Sequence, residues 1–406
     1  MPFRMGKEYF KEKRKIPIES RFDVVVIGGG IAGVSAALAS KRNGCSVLII
    51  EKTVFLGGLA TSGLIGIYLP ICDGYGTQVT FGIAEELLNA SIKNDYNTLS
   101  DEWRYKRADS STSSRFQTDF CPSAFTLTLD ELVEKENIIV YFDTLFCQPI
   151  IENKKCKGVI IEDKDGTKCI FSKYVIDTTG DADCIFRAGS PCSLGKNYLS
   201  YWCYCISDSS IKKANEKKEL KAALKLQMLG AGSAGINAPH GYSTYYGTKA
   251  SDVSRFVLDG RKLLREKLLK NDENYSIPIT LPTMAQFRTT RYVEGHYLLK
   301  KTDVNKSFYD SVGCIADWRK RGEIYEIPYR CLVPKERENL ITAGRTISSA
   351  GDTWDVTRVI PAAALTGEAA GTAVAIAKHN QCNIHEVPID QLQRLLKENG
   401  NKIHIN

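Results

Sequence analysis

The amino-acid sequence predicts an α/β fold, and three features predict it. A short β-branched run, Asp23-Val24-Val25-Val26-Ile27, ends in glycines at fixed spacing. An alanine-rich segment with helical spacing follows over residues 32–42, and a second apolar run, Cys45 to Ile50, then closes on Glu51. Twice more, at Tyr174–Gly180 and Asn339–Gly344, an apolar strand pattern stops at a glycine turn. Buried strands that alternate with a helix and end in glycine turns indicate a parallel sheet with helices on its faces.

The first unit also carries chemistry. In Gly28-x-Gly30-x-x-Gly33, which encloses Ile31 and Ala32, the first glycine permits a tight turn. The second lets the backbone approach a pyrophosphate, and the third lets the helix pack close to the strand. The free N–H groups and positive dipole end of that helix then face the phosphates. Glu51 falls about 20 residues later, where this arrangement needs an acceptor for ribose hydroxyls. A second G-x-G-x-x-G, Gly230 to Gly235, follows a lysine-rich segment, Lys217 to Leu229, that is spaced like an amphipathic helix. A phosphate loop needs a strand to aim it, so this copy is expected to be a mobile loop. No second dinucleotide fingerprint remains, and a dedicated NAD(P)H domain is not expected.

Later segments separate FAD from NAD by resemblance. They are the small-residue run Lys52 to Gly63, the turn Thr178-Thr179-Gly180-Asp181, and Ala343-Gly344-Arg345. Arg288 to Gly295, Glu326 to Arg330, the stretch Gly344 to Ala377 and the final Ile389 to Leu396 add to them. Together these resemble the glutathione-reductase-type flavoproteins. They are closest to the bacterial FAD-dependent oxidoreductases related to fumarate reductase and succinate dehydrogenase flavoproteins. The resemblance covers nearly the whole chain from Asp23. It implies an FAD-binding, two-dinucleotide-type Rossmann-like domain with an inserted α+β substrate domain, and FAD as cofactor. Carried onto this sequence, it places the cofactor against Gly28, Gly30, Ile31, Ala32 and Gly33, and against Glu51 and Lys52. Further contacts are implied at Gly57, Gly58, Ala60, Thr61, Phe146, Thr179 and Gly180, and at Gly344, Arg345, Arg358, Val359, Pro361 and Ala362. The helix after Pro361, a residue suited to a first helical turn, is implied to point at the flavin pyrimidine edge. Where the family has a further Arg this chain has Tyr292, so substrates of better-known members are not carried over.

The expected organisation is a basic tail over 1–21, a first FAD-binding part over 22–190, and an inserted substrate domain over 191–334. A return segment over 335–380 and a C-terminal helix and tail over 381–406 complete it. The insertion is rich in tyrosine and tryptophan, which suits an apolar pocket. Hydride exchange needs a proton donor or acceptor and often a cation for an anionic substrate. The insertion offers His240, His296, Arg288 and Arg291 as candidates. Cys72, in Ile71-Cys72-Asp73-Gly74, is expected to be an inert thiol, with redox activity or flavin attachment as alternatives.

Charge and cysteine usage narrow the partners. Seven Lys/Arg against three Glu in residues 1–21 account for +4 of the net +7, which leaves the body near neutral. That distribution speaks against a nucleic-acid face and so against a flavin-dependent RNA-modifying enzyme. Thirteen cysteines without a C-x-x-C pair suit free thiols in a reducing, cytoplasmic setting, with no metal site expected. The N-terminus lacks an apolar signal core, and no apolar run reaches the ~20 residues of a membrane span. The expected partners are a small-molecule substrate and a donor of electrons, which is another protein, a small reductant or the substrate itself. The expected activity is hydride exchange between FAD and a small organic compound, as a reductase or dehydrogenase of an unsaturated or carboxylate-bearing molecule. The alternatives are a flavin monooxygenase or halogenase and a non-catalytic flavin-binding sensor.

Overall fold

Strand β1 (Ile18–Ile27) runs through the middle of the main sheet, and its last four residues are buried. Burial on both faces is why they read as an unbroken apolar run. The description of the fold rests on a computed structural model that covers residues 13–232, 235–270 and 276–405. β2 (Val47–Ile50) lies parallel to β1 on one side, with β5 (Ile139–Tyr141) beyond it. On the other side β8 (Gly166–Asp177) pairs parallel with β1. β8 is long enough for two more partners. Its last three residues pair parallel with β16 (Leu340–Thr342), and its first half pairs antiparallel with β7 (Lys155–Asp163), followed by β6 (Leu145–Glu152). The parallel strands bring the C-terminal ends of β1, β2, β8 and β16 to one edge, where open α/β sheets hold their ligands.

On one face, α1 (Ile31–Arg42) crosses α9 (Ile360–Asn380). The crossing depends on Gly367 and Gly371, four residues apart. A Cβ on either would stand 2.3 Å from a carbonyl oxygen of α1, that of Ala32 or Ala36. Backbone contact this close leaves α9 buried from Pro361 to Ala377, apart from Ala363. α9 has the length and the mean hydropathy, 1.3, of a membrane span, but 89% of it is buried within the protein. α2 (Ile83–Ser91), α4 (Pro122–Lys135) and α10 (Ile389–Glu398) add Leu87, Leu129 and Leu392 to the same core. The short helix α3 (Asp101–Arg104) contributes Trp103, and the pair β3 (Ile67–Tyr68) and β4 (Thr118–Asp119) contributes Tyr68. Across the sheet, a smaller core joins Val25, Ile27 and Val175 to Val159 of β7 and to Cys184 and Ile185 of α5 (Asp183–Arg187).

The insertion centres on β10 (Ser200–Ser207), flanked antiparallel by β11 (Lys225–Gly230) and β12 (Ser276–Thr280). The helix α7 (Ala250–Leu269) backs this sheet through Leu264, which meets Tyr201, Cys203 and Cys205. The two thiols share one face of the strand, as their spacing predicts. α6 (Asp208–Lys217) follows, with Ser207 as N-cap accepting from Ser210 N–H. A separate pair, β9 (Cys192–Leu194) and β13 (Arg291–Val293), ties the ends of the insertion together.

Three expectations are corrected. Strand β1 starts at Ile18, so Ile18, Ser20 and Arg21 of the predicted tail pair with β8; residues 1–12 of that tail lie outside the described residues. Within the predicted helix over Lys217–Leu229, residues 225–229 instead form β11, because pairing with β10 overrides local helix propensity. The Gly230–Gly235 motif therefore does follow a strand, but an antiparallel one in a separate three-stranded sheet; its Ser233 and Ala234 lie outside the described residues. Finally, β14 (Ser311–Ala316) and β15 (Ile324–Pro328) fall within the predicted insertion but place Val312, Ile315 and Ile327 in the main core beside α9. The separately folded part of the insertion thus ends well before residue 334.

Candidate functional site

The turn after β1 is the centre of the site. Gly28 adopts φ +101°, a left-handed geometry costly for any residue with a side chain. At Gly33 a Cβ would stand 1.9 Å from the Gly28 carbonyl oxygen and 2.8 Å from Thr178 Oγ1. Only glycine lets α1 begin this close to the strand end. The N-cap of α1, Gly30, offers no side-chain cap, and the first turn carries no acidic residue. Its free N–H groups are therefore left to accept an anion.

These groups open onto a cleft of about 270 Å³. Gly28, Gly30, Ile31 and Ala32 line its middle. Glu51, Lys52 and Phe146 line one end; Gly57, Gly58 and Ala60 form the wall beside α1. Thr179, Gly180, Gly344, Arg345 and Arg358 close the opposite wall. Five of the residues implied by resemblance stand behind the surface. Gly33 acts through the close packing just described. Thr61 donates its hydroxyl to the Leu56 carbonyl. Val359 caps α9, while Pro361 and Ala362 lie buried in its first turn.

Glu51 is held firmly. One carboxylate oxygen accepts Gly29 N–H at 2.7 Å, and the other accepts the N–H and hydroxyl of Thr53 at 2.9 and 2.8 Å. A carboxylate has about four lone-pair sites, so an acceptor remains for a sugar hydroxyl. At the far end of the cleft, α9 starts without a side-chain cap or a first-turn acid. The cleft is thus bounded by two helix N-termini that are free to take negative charge.

The four candidate catalytic residues separate. Arg288 stands behind the cleft in the insertion. Its guanidinium donates to the carbonyls of Gly232 and Ala231, at 2.6 and 3.1 Å, and to Ser200 Oγ at 3.1 Å. Among the described residues no carboxylate pairs with it. Burial, with the charge of Arg358, pushes it down to about 10, against the pull of Asp355. Arg358 lines the cleft, and its Nε donates to Asp355 Oδ1 at 2.9 Å. Arg291 is paired with a carboxylate, Asp183, at 2.8 Å and stacks over Phe186. His296 does not line the cleft. It meets His385 at 3.1 Å, and His385 in turn meets the Arg337 carbonyl, near the opposite edge of the sheet. His240 is exposed in a turn, also away from the cleft lining. Cys72 is buried, its sulfur accepting Phe116 N–H at 3.1 Å, and lies outside the lining.

Sequence reasoning missed Asp183, Arg187 and Met284, all of which line the cleft. The first two follow the Gly180 turn by a few residues, a signal that was available. Met284 arrives from the insertion, and nothing local marks it. Among the described residues no group of three His, Cys, Asp or Glu is arranged to hold a metal.

Residues 23–202 and 233–396 match the FAD dependent oxidoreductase family. Two curated relatives match shorter stretches. A thioredoxin reductase of Ureaplasma parvum serovar 3 is 31% identical over 96 residues, 23% of this chain and 31% of the relative. A vinyl phenol reductase of Lactiplantibacillus plantarum is 32% identical over 102 residues, 24% of this chain and 20% of the relative. The matched stretch spans less than a third of either relative. Among solved structures, p-nitrophenol 4-monooxygenase PnpA of Pseudomonas putida DLL-E4 superposes with a TM-score of 0.50 at 11% identity. That match covers 93% of this chain and 84% of the monooxygenase, and it shows the shared fold. With a match over most of its length and a glycine cradle built for a dinucleotide, the chain belongs to the FAD dependent oxidoreductase family, a flavoprotein enzyme whose cofactor is FAD.

Proposed function

We propose that the chain holds FAD extended along the cleft and acts on a small anionic organic substrate bound between the cofactor and the insertion. The adenosine end is assigned to Glu51, Lys52 and Phe146, the pyrophosphate to the first turn of α1, and the flavin end to Arg358, Met284 and the first turn of α9. The residues fit the cofactor by geometry: a Cβ-free approach at Gly28 and Gly33, and two uncapped helix N-termini on one cleft. The bound flavin supplies hydride exchange with the substrate.

The observation that carries the substrate class is Arg288 beside Arg358. Burial first, and then the positive charge of Arg358, disfavours the charged form of Arg288, and an anion held at Arg288 would offset that cost. Planar, forked donors suit a carboxylate in particular. Asp355 holds Arg358 in place, and Asp355 is itself within 3.5 Å of Arg319, which also binds the fully buried Asp317. Among the described residues no histidine lines the cleft, and Arg291 pairs with Asp183, so of the four candidates Arg288, behind the lining, is the one left to hold an anion.

The test is an anaerobic absorbance titration. Dithionite-bleached protein is mixed with a panel of unsaturated carboxylates, and the oxidised protein with saturated carboxylates, amines and alcohols. Recovery of yellow colour with an unsaturated acid, or bleaching by a saturated one, supports the reading. Response only to neutral substrates, or to none of the panel, rejects it.

A further inference from the structure

At the edge of the sheet opposite the cleft lies a second groove of about 760 Å³, between β1, β7, β8 and the C-terminal end of α9. Arg21, Lys155, Lys157, Lys173 and Lys378 line it, and no carboxylate does. Three acids nearby offset part of this charge. Asp23 meets Lys173 at 2.8 Å and Lys378 at 3.7 Å, Glu338 meets Lys155 at 3.5 Å, and Glu152 meets Lys157 at 3.7 Å. Arg21 has no acidic partner among the described residues. Its guanidinium lies over the Phe171 ring at 4.8 Å, leaving the outer face of a planar cation exposed.

Two needs coincide in this groove: surplus positive charge and an open planar stacking face. A ligand that satisfies both carries phosphate and a flat heteroaromatic ring. Phosphates would take the lysines, and the ring would stack on the Arg21–Phe171 pair as bases stack on guanidinium planes. We propose that this groove is a second nucleotide site, one that takes a free mononucleotide with a polyphosphate chain and is separate from the FAD cleft. The inference does not depend on the proposed substrate chemistry, since no residue of this groove lines the cleft.

The experiment is isothermal titration of the FAD-loaded protein with ATP, AMP, inorganic triphosphate and a short single-stranded oligoribonucleotide. Saturable binding of ATP, with AMP and triphosphate each at least ~10-fold weaker, is expected for a site using both phosphate and ring. Arg21→Ala is expected to weaken ATP at least ~10-fold and Lys157→Ala several-fold, with flavin content and flavin reduction unchanged. The proposal is overturned if ATP shows no saturation up to about 5 mM. Equal binding of triphosphate, ATP binding unaffected in both variants, or ATP binding that displaces FAD would overturn it as well. An oligoribonucleotide that binds more tightly than ATP would assign the groove to a nucleic-acid strand instead.

Discussion

The FAD-binding body and the insertion are built differently. In the body, the last four residues of β1, all of β2 and nearly all of α9 are buried, and two helices touch backbone to backbone at Gly367 and Gly371. In the insertion, β12 is exposed along most of its length, α7 buries only Phe256, Gly260 and Leu264, and the cores are small. Interiors packed to crystal density tolerate little change, whereas lightly packed elements adjust. The body therefore fixes the cofactor, and the insertion is free to vary what meets it. The substitutions below probe that division, beginning with the body.

The largest effect is expected from Gly33→Ala. The added methyl would overlap the Gly28 carbonyl, and neither the strand nor α1 has room to move. The protein should lose its flavin or fail to fold, read as the ratio of flavin to protein absorbance. In the insertion, Arg288→Met should leave that ratio unchanged. It should instead weaken binding of an anionic substrate or inhibitor about 10- to 100-fold, a cost of roughly 1.4–2.8 kcal/mol. Loss of flavin in that variant would show that Arg288 serves the cofactor and not the substrate.

A third test uses the buried acid of α9. Burial raises Glu368 to about 7, although Ile83 N–H and the Asn401 amide both donate to it and oppose the shift. Between the unfolded value of 4.5 and about 7 the folded protein keeps a proton that the unfolded chain has lost. Stability should therefore fall as pH rises through this window, by about 3 kcal/mol, and change no further above it. Glu368→Gln, which cannot ionise, should narrow the difference in Tm between pH 5 and pH 8 by a few degrees. An unchanged difference would mean that the carboxylate stays ionised when buried. The smallest effect belongs to His296→Ala: its ring pairs with His385 on the far side of the sheet, so rates of flavin reduction should stay within about twofold of the parent.

The same division explains what was legible in the sequence. The β1–α1–β2 unit could be read because its requirements are local: glycines at a turn, a buried strand, an acid at a strand end. Fifteen of the residues implied by resemblance line the cleft. Where contacts are distant in sequence, the reading failed. Lys225–Gly230 looks helical in isolation and becomes a strand only because β10 lies beside it. Residues 311–328 look like part of the insertion, yet they complete the core under α9. His296 lies close in sequence to Arg288 and Arg291 but is carried by β13 and the following turn to the opposite edge. Arg358 was read as a cofactor residue, and its proximity to Arg288 across seventy residues had no sequence signal.

The central claim is that the body holds FAD while the arginine pair at the insertion selects an anion, and one comparison tests it directly. Anaerobically reduced parent protein and its Arg288→Met variant, loaded equally with flavin, are mixed with an unsaturated carboxylate and with its neutral amide. Flavin reoxidation is followed by stopped-flow absorbance. The account predicts that the parent reacts with the acid at least ~100-fold faster than with the amide and that the variant loses this preference. Equal rates for acid and amide in the parent, or a preference that survives in the variant, would contradict it.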